Sequence, residues 1–177
     1  MVPARYGVAP RVRARLGGGA RTRARTDEEA CDDLVRRPVD EVFDYLADVT
    51  NEVHWRRSVV ESSYTTDGPL AVGRQGLTGV AMGDKRVSMG WTVVDHVPGR
   101  HVRWQLTDGP WRGGGSYTVD AAPDGAAVTA ALEVRLAGAS RLLEPVLGIM
   151  LGRGLRQDLD RLGTVLEGQP QRGSASS

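Results

Sequence analysis

The chain has 177 residues, 40% of them hydrophobic and 25% charged, which is the size and composition of a single globular domain. Its net charge of +1 conceals an asymmetry, because residues 1–26 contain seven Arg and no acidic residue while the rest of the chain is acidic. The body of the chain therefore has no basic face for nucleic acid, and it lacks the run of about 20 apolar residues that a membrane helix needs. Because the start of the chain also lacks the apolar core of a secretory signal, we expect a cytoplasmic protein with no integral membrane association.

The first part of the chain predicts a tail, a strand and two short helices. Residues 1–30 have no apolar periodicity and are expected to form a disordered, Arg-rich tail. A strand is predicted from Cys31 to Arg37, although two consecutive Asp residues interrupt its alternation. From Pro38, hydrophobic residues at helical spacing predict two short helices that end at Trp55. The second helix has no run of basic or amide side chains, so the pair is not expected to read DNA.

From residue 59 the hydrophobic pattern changes to a period of two, and turn signals such as Gly83-Asp84 and Pro98-Gly99 divide it. The short connections predict an antiparallel meander of six strands, at about 59–66, 73–82, 85–97, 100–107, 112–121 and 126–136. Alternation gives this sheet one buried face and one wet face. The residues predicted to face inward are Val87, Met89, Trp91, Val93, Val102, Trp104, Leu106, Tyr117, Val119, Val128, Ala130, Leu132, Val134 and Leu136.

The stretch from Gly138 to Glu167 predicts one long amphipathic helix, since its apolar residues recur three and four positions apart. We expect the first half of this helix, which contains several glycines, to lie over a cavity and the second half to close the core. A charged group including Asp158 is expected on the far side, and residues 169–177 are expected to form a disordered tail. The predicted buried stripe consists of Leu143, Leu147, Met150, Leu151, Leu155, Leu159, Leu162 and Leu166.

This order of elements resembles the START-like or Bet v1-like (SRPBCC) superfamily, and more narrowly its bacterial polyketide cyclase/dehydrase-type members. The resemblance is carried by RRPVDEVFDYLADVTNEVHW at 36–55, GPLAVGRQ at 68–75, VVDHVPGRHVRWQLTDGP at 93–110 and SRLLEPVLGIMLGRGLRQDLDRLGTVLE at 140–167. It implies an α+β helix-grip fold over residues 31–168, in which a curved antiparallel sheet of about seven strands wraps around the C-terminal helix and leaves an apolar cavity. Members bind lipids, sterols, polyketides, quinones or plant hormones, and a minority catalyse cyclisation or dehydration. The weak first strand departs from this pattern, and because catalytic residues differ between branches, none is transferred.

Four Trp against one Phe is an unusual balance for a chain of this length. Large aromatic and Met side chains with few polar groups are typical of an apolar binding pocket, although the same residues commonly fill a core. The predicted ligand-binding residues are Trp55, Met82, Met89, Trp91, Trp104, Tyr117, Leu147, Met150 and Leu151.

The sequence offers little for catalysis. Tyr117 is the one titratable residue on the predicted inner face, whereas Asp and Glu fall mainly on the outer face or in turns. Lys85 is the only lysine and GxSxG does not occur, which makes Schiff-base or serine-nucleophile chemistry a poor fit.

No metal and no cofactor are predicted. Cys31 is the only cysteine, so it can form no disulfide within the chain and no cysteine metal cluster. His54, His96 and His101 lack metal-binding spacing. Of the three, His54 is the one that could lie beside the mouth of a cavity.

Three functions remain open on the sequence. The first is binding of a small hydrophobic or aromatic ligand, lipid-, quinone- or polyketide-like, between the sheet and the last helix. The second is a cyclase, aromatase or dehydratase acting in the same cavity, which requires an ionisable side chain that points inward. The third is a protein-interaction module with a filled interior and an exposed apolar patch. Cystatin-like, nuclear-transport-factor-like and lipocalin folds fit the order of elements less well, and the oligomeric state is not predicted.

Overall fold

The computed structural model describes residues 28–135 and 144–170, with the side chains of residues 30–135 and 152–170. The predicted tails, apart from their ends at 28–30 and 169–170, lie outside the described residues, as does the start of the stretch predicted as the last helix. The elements in chain order are β1 (Glu28–Val35), α1 (Val39–Ala47), a 3₁₀ turn (Val49–Asn51), α2 (Glu52–Trp55), β2 (Val59–Tyr64), β3 (Gln75–Met82), β4 (Lys85–Val97), β5 (His101–Leu106), β6 (Arg112–Ala122), β7 (Gly125–Arg135) and α3 (Glu144–Glu167).

The seven strands form one curled antiparallel sheet in the order β1-β7-β6-β5-β4-β3-β2. The strands from β2 to β7 form a meander, whereas β1 and β2 lie at opposite edges and are connected through α1 and α2. Helix α3 packs against β1, β7 and α2. The predicted α+β helix-grip architecture is thus confirmed. Within the described residues, no helix has both the length and the apolar composition needed to cross a membrane.

The first strand is longer and better paired than its sequence indicates. It begins at Glu28 rather than Cys31, ends at Val35 rather than Arg37, and pairs with eight consecutive residues of β7. Cys31 and Val35 are buried, while Asp32 is exposed. Strand propensity depends strongly on the neighbouring strand, so pairing with β7 compensates for the acidic residues of β1.

The second half of α3 closes the core, as predicted. Leu155, Leu159, Leu162 and Leu166 are all buried and belong to one apolar cluster that includes residues of β1, α1, β6 and β7. The predicted inner face of the sheet is also confirmed for its described residues, because Trp91, Val93, Val119 and Val128 all join the same cluster. Leu136 lies outside the described residues. The side chains of Leu147, Met150 and Leu151, in the first half of α3, lie outside the described residues.

The two consecutive arginines after β1 have different roles. The side chain of Arg37 is 6% exposed, and its guanidinium donates to the backbone carbonyl of Glu167, at 3.2 Å, and to that of Gln169. The last carbonyls of a helix have no partners within the helix, so Arg37 caps the C-terminus of α3. Arg36, whose side chain is 71% exposed, lies 4.0 Å from the carboxylate of Glu167.

Candidate ligand-binding cavity

A cavity of about 360 Å³ lies between the inner face of the sheet and the helices. Strands β2 to β7 form its wall on one side, and α1, α2 and α3 close it on the other. From α3, Gly154 and Leu155 contribute to the wall. The described part of α3 therefore borders the cavity without filling it.

Five of the nine predicted ligand-binding residues lie on the wall of this cavity: Met82, Met89, Trp91, Trp104 and Tyr117. Trp55 does not. It is fully buried behind the wall, where its ring makes an edge-on contact with that of Tyr117 at a centroid distance of 5.6 Å. The remaining three, Leu147, Met150 and Leu151, belong to α3, but their side chains are not among those described. Trp111, which the prediction left out, also lines the cavity.

A buried carboxylate, Glu52, is the centre of a polar cluster at the cavity wall. It is the first residue of α2 and is 6% exposed. One oxygen, Oε1, accepts hydrogen bonds from Nη1 of Arg56 at 3.2 Å and from the hydroxyl of Tyr117 at 3.3 Å. The other, Oε2, accepts from the hydroxyl of Thr78 at 3.5 Å. A buried charge is tolerated only where such partners exist, and the residue after α2, strand β3 and strand β6 each supply one.

Thr78 connects this carboxylate to an aromatic part of the wall. Its hydroxyl oxygen accepts a hydrogen bond from the indole Nε1 of Trp91 at 2.9 Å and lies 3.0 Å from the hydroxyl of Ser62. A buried indole N–H usually finds a partner, so Thr78 both satisfies Trp91 and fixes the orientation of its ring.

A second carboxylate, Asp158, reaches the cavity from α3. It is 7% exposed, and its Oδ1 accepts a hydrogen bond from the backbone N–H of Arg57 at 3.1 Å. Burial raises the pKa of this carboxyl above its ordinary value, while the Arg57 hydrogen bond and three neighbouring arginines partly oppose the change. The prediction that Asp158 lies on the far side of the helix is therefore wrong.

Burial also acts on the pKa values of Tyr117 and Arg56. It raises the pKa of Tyr117, and the negative charge of Glu52 adds to this effect although Arg56 opposes it, so the phenol stays neutral and donates. Burial alone would lower the pKa of Arg56, but Tyr117, Glu52 and Asp158 raise it by more, so the guanidinium stays charged. Among its described residues, the cavity wall thus combines one cation, two acidic groups and a neutral phenol.

The sequence prediction missed Glu52, Arg56 and Asp158 because all three lie on or beside helices, whereas the inner face was inferred from strands. Helix α2 has four residues, too few for a periodic signal. Asp158, however, lies three residues after Leu155 and four before Leu162, which is the spacing of the buried stripe. That spacing could have identified it as an inward-facing carboxylate.

None of the three histidines lines the cavity. His54 is exposed, and its backbone carbonyl accepts a hydrogen bond from Arg161 at 2.9 Å. The ring of His96 stacks on Phe43, and Nδ1 of His101 lies 2.8 Å from the hydroxyl of Thr118. In the part of the chain that the structure describes, no group of three or more His, Cys, Asp and Glu side chains is arranged to hold a metal ion.

Residues 33–167 match the family model described as polyketide cyclase/dehydrase and lipid transport. No curated protein matches the sequence. Solved structures with the same fold include a Thermus thermophilus protein, which is 13% identical with a TM-score of 0.68, over 79% of this chain and 97% of the other. The Zhui aromatase/cyclase from Streptomyces sp. R1128 is 15% identical with a TM-score of 0.66, over 84% and 98%. A START superfamily protein from Mycobacterium smegmatis is 12% identical with a TM-score of 0.66, over 80% and 98%.

Proposed function

Because the chain belongs to the polyketide cyclase/dehydrase and lipid transport family, we propose that it binds a small hydrophobic or aromatic ligand in the cavity between the sheet and α3. The observation that carries the proposal is the cavity itself, an apolar space of about 360 Å³ beside the buried core cluster. Protein interiors rarely leave voids of this size. A space lined by Trp, Met, Leu and Val with a few convergent polar groups is typical of a small-molecule site.

Apolar contact supplies the affinity in this proposal. Removing apolar surface from water contributes about 25 cal/mol per Å², and Trp91, Trp104, Met89 and Leu155 all offer such surface to the cavity. The polar cluster around Glu52 then orients the ligand, since it is the one part of the described wall where several hydrogen-bonding groups meet.

Calorimetric titration with naphthalene as a probe tests the proposal, and filling the cavity supplies the decisive comparison. Leu106 lies on the wall, whereas its neighbour Gln105 is exposed on the outer face of the same strand. We expect Leu106→Trp to weaken naphthalene binding at least tenfold, because the larger ring occupies the ligand's space, and Gln105→Trp to leave it unchanged. Equal binding by the two variants would show that the probe does not enter the cavity.

A second candidate, an enzyme of the cyclase, aromatase or dehydratase kind, is supported by one observation: Glu52 and Asp158 bring carboxyl groups to the cavity wall. Burial raises the pKa of Asp158, which is how proteins adapt a carboxyl group for proton transfer near neutral pH. The test is incubation with a poly-β-ketone substrate. The enzyme hypothesis expects Asp158→Asn to abolish turnover while naphthalene binding persists, and no turnover by the unmodified chain would refute it for that substrate.

The third hypothesis, an interaction module, required a filled interior. The open cavity contradicts that requirement.

A further inference from the structure

We propose that the cavity selects a neutral ligand whose polar end is a carbonyl or hydroxyl group, and that Glu52 excludes ligands ending in a carboxylate. This inference rests on the proposed function and specifies the ligand class of the same cavity. It follows from the way in which the charged groups on the cavity wall are already paired with one another.

The one cation on the described cavity wall is engaged before any ligand arrives. Arg56 donates to Oε1 of Glu52 at 3.2 Å, and its side chain is 15% exposed while that of Glu52 is 8% exposed. The two residues lie one helical turn apart, so the pair is built into the backbone. An incoming carboxylate would therefore have to share the charge of Arg56 with Glu52 or displace Glu52 from it. Displacement would leave that buried carboxylate with the neutral hydroxyls of Tyr117 and Thr78 and no opposite charge, which is costly.

The balance of charge on the wall opposes a carboxylate further. Asp158 brings a second acidic group from α3, so the described wall has two acidic groups for one guanidinium. The basic neighbours of Asp158 are Arg56, Arg57 and Arg161. Of these only Arg56 lies on the cavity wall, and the other two carry their charge outside it. A like charge placed in such a site is rejected through repulsion and desolvation together.

A neutral oxygen meets no such obstacle. Arg56 uses one nitrogen, Nη1, for Glu52, and a guanidinium carries five N–H donors in all. The guanidinium therefore keeps donor capacity for a carbonyl oxygen. The hydroxyl of Tyr117 donates to Glu52, so its oxygen presents a lone pair that can accept from a ligand hydroxyl. The cluster is arranged to hydrogen-bond an uncharged group without being dismantled.

The experiment compares three probes with one aromatic skeleton: naphthalene, methyl naphthoate and naphthoate. Titration calorimetry at neutral pH measures each affinity for the unmodified full chain. We expect methyl naphthoate to bind more tightly than naphthalene, and at least tenfold more tightly than naphthoate, a discrimination of the size that an unpaired charge produces. Naphthoate binding as tightly as its ester would overturn the inference and identify Arg56 as a carboxylate clamp, while the proposed function would stand.

Variants assign the selection to Glu52. Glu52→Gln keeps the shape and an acceptor oxygen but removes the charge, so we expect it to raise the affinity for naphthoate about tenfold relative to that for methyl naphthoate. Asp158→Asn, which can still accept from Arg57, is a second variant that tests the same charge balance should the first fold poorly. The matched control is Glu61→Gln, because Glu61 lies outside the cavity with its side chain 47% exposed.

If both Glu52→Gln and Asp158→Asn leave the ratio of the two affinities unchanged, the inference fails. If no probe, including naphthalene, binds the unmodified chain, the proposed function itself fails and the inference with it. The two failures are therefore distinguishable.

Discussion

The indole of Trp91 lies over Gly76, the residue directly opposite it on the neighbouring strand. A β-carbon added at Gly76 would overlap the six-membered ring of that indole. Trp104 has the same relationship with Gly115, where an added β-carbon would lie 2.6 Å from the ring. Two glycines thus let two large rings lie against the sheet instead of projecting into the cavity, so the cavity's volume depends on the absence of two methyl groups.

We expect Gly76→Ala to reduce the cavity and to lower naphthalene affinity, because the indole of Trp91 must move away from β3 and toward the open space. The variant should also lose about 1–3 kcal/mol of stability, the usual cost of overpacking, since the new ring position strains the hydrogen bond to Thr78. Titration calorimetry and chemical denaturation measure the two effects.

Gly79→Ala is the control for this prediction. Gly79 lies on the same strand, but a β-carbon there would meet the guanidinium of Arg86, the far end of a flexible side chain that is 53% exposed. We expect this variant to bind naphthalene normally. An equal loss of naphthalene affinity in both variants would mean that alanine on β3, rather than the position of Trp91, causes the effect.

Thr78→Val should destabilise the protein by about 1–3 kcal/mol, because it leaves the buried N–H of Trp91 without a partner and removes one donor to Glu52. The two side chains have nearly the same shape, so the loss isolates the hydroxyl. Thr92→Val, at a partly buried site on the outer face of β4, is expected to change stability by no more than about 0.5 kcal/mol. Urea denaturation of both variants checks the prediction, which a loss of the same size at Thr92 would contradict.

Arg36 and Arg37, the consecutive arginines after β1, provide a matched pair of test variants. We expect Arg37→Met to cost about 1–3 kcal/mol, since it removes charged hydrogen bonds to the carbonyls of Glu167 and Gln169. Arg36→Met should have little effect, because surface ion pairs contribute little and the contact of the Arg36 backbone N–H with Glu167 is retained. Hydrogen exchange at the last turn of α3 should increase only in the Arg37 variant. Increased exchange in both variants would show that the helix end is held by the ion pair instead.

The raised pKa of Asp158 predicts how the stability of the protein depends on pH. Burial raises this pKa in the folded state above the ordinary value of 3.8, so the folded chain holds the proton more tightly than the unfolded chain does. The protonated Asp158 carboxyl therefore contributes to the stability of the folded chain at low pH. This contribution falls as pH rises from about 3.8 through the folded-state pKa, and it is lost at higher pH. Asp158→Asn cannot titrate, so its stability relative to the unmodified chain should increase with pH across that window. Thermal denaturation of both proteins from acidic to neutral pH measures the difference, and a difference independent of pH would contradict the assignment.

Much of the architecture follows from the sequence alone. The inner face of the sheet and the stripe Leu155, Leu159, Leu162 and Leu166 are repeated local patterns, each confirmed by burial. Periodicity identifies them because an amphipathic element must bury its apolar side wherever it packs. Trp55 was predicted to line the cavity but lies behind its wall. The prediction failed because periodicity does not distinguish the surface of a cavity from the core behind it.

The polar cluster was decided by the tertiary structure. Tyr117 is 65 residues from Glu52 along the chain, and Asp158 is 101 residues from its partner Arg57. No local pattern relates such positions, since their meeting depends on how far the sheet curls and where α2 and α3 close over it. The sequence by itself thus determined which sides of the strands turn inward and that the leucine stripe of the last helix closes the core. Only the folded chain decided that a buried carboxylate, already paired with the one guanidinium on the described wall, lies among them.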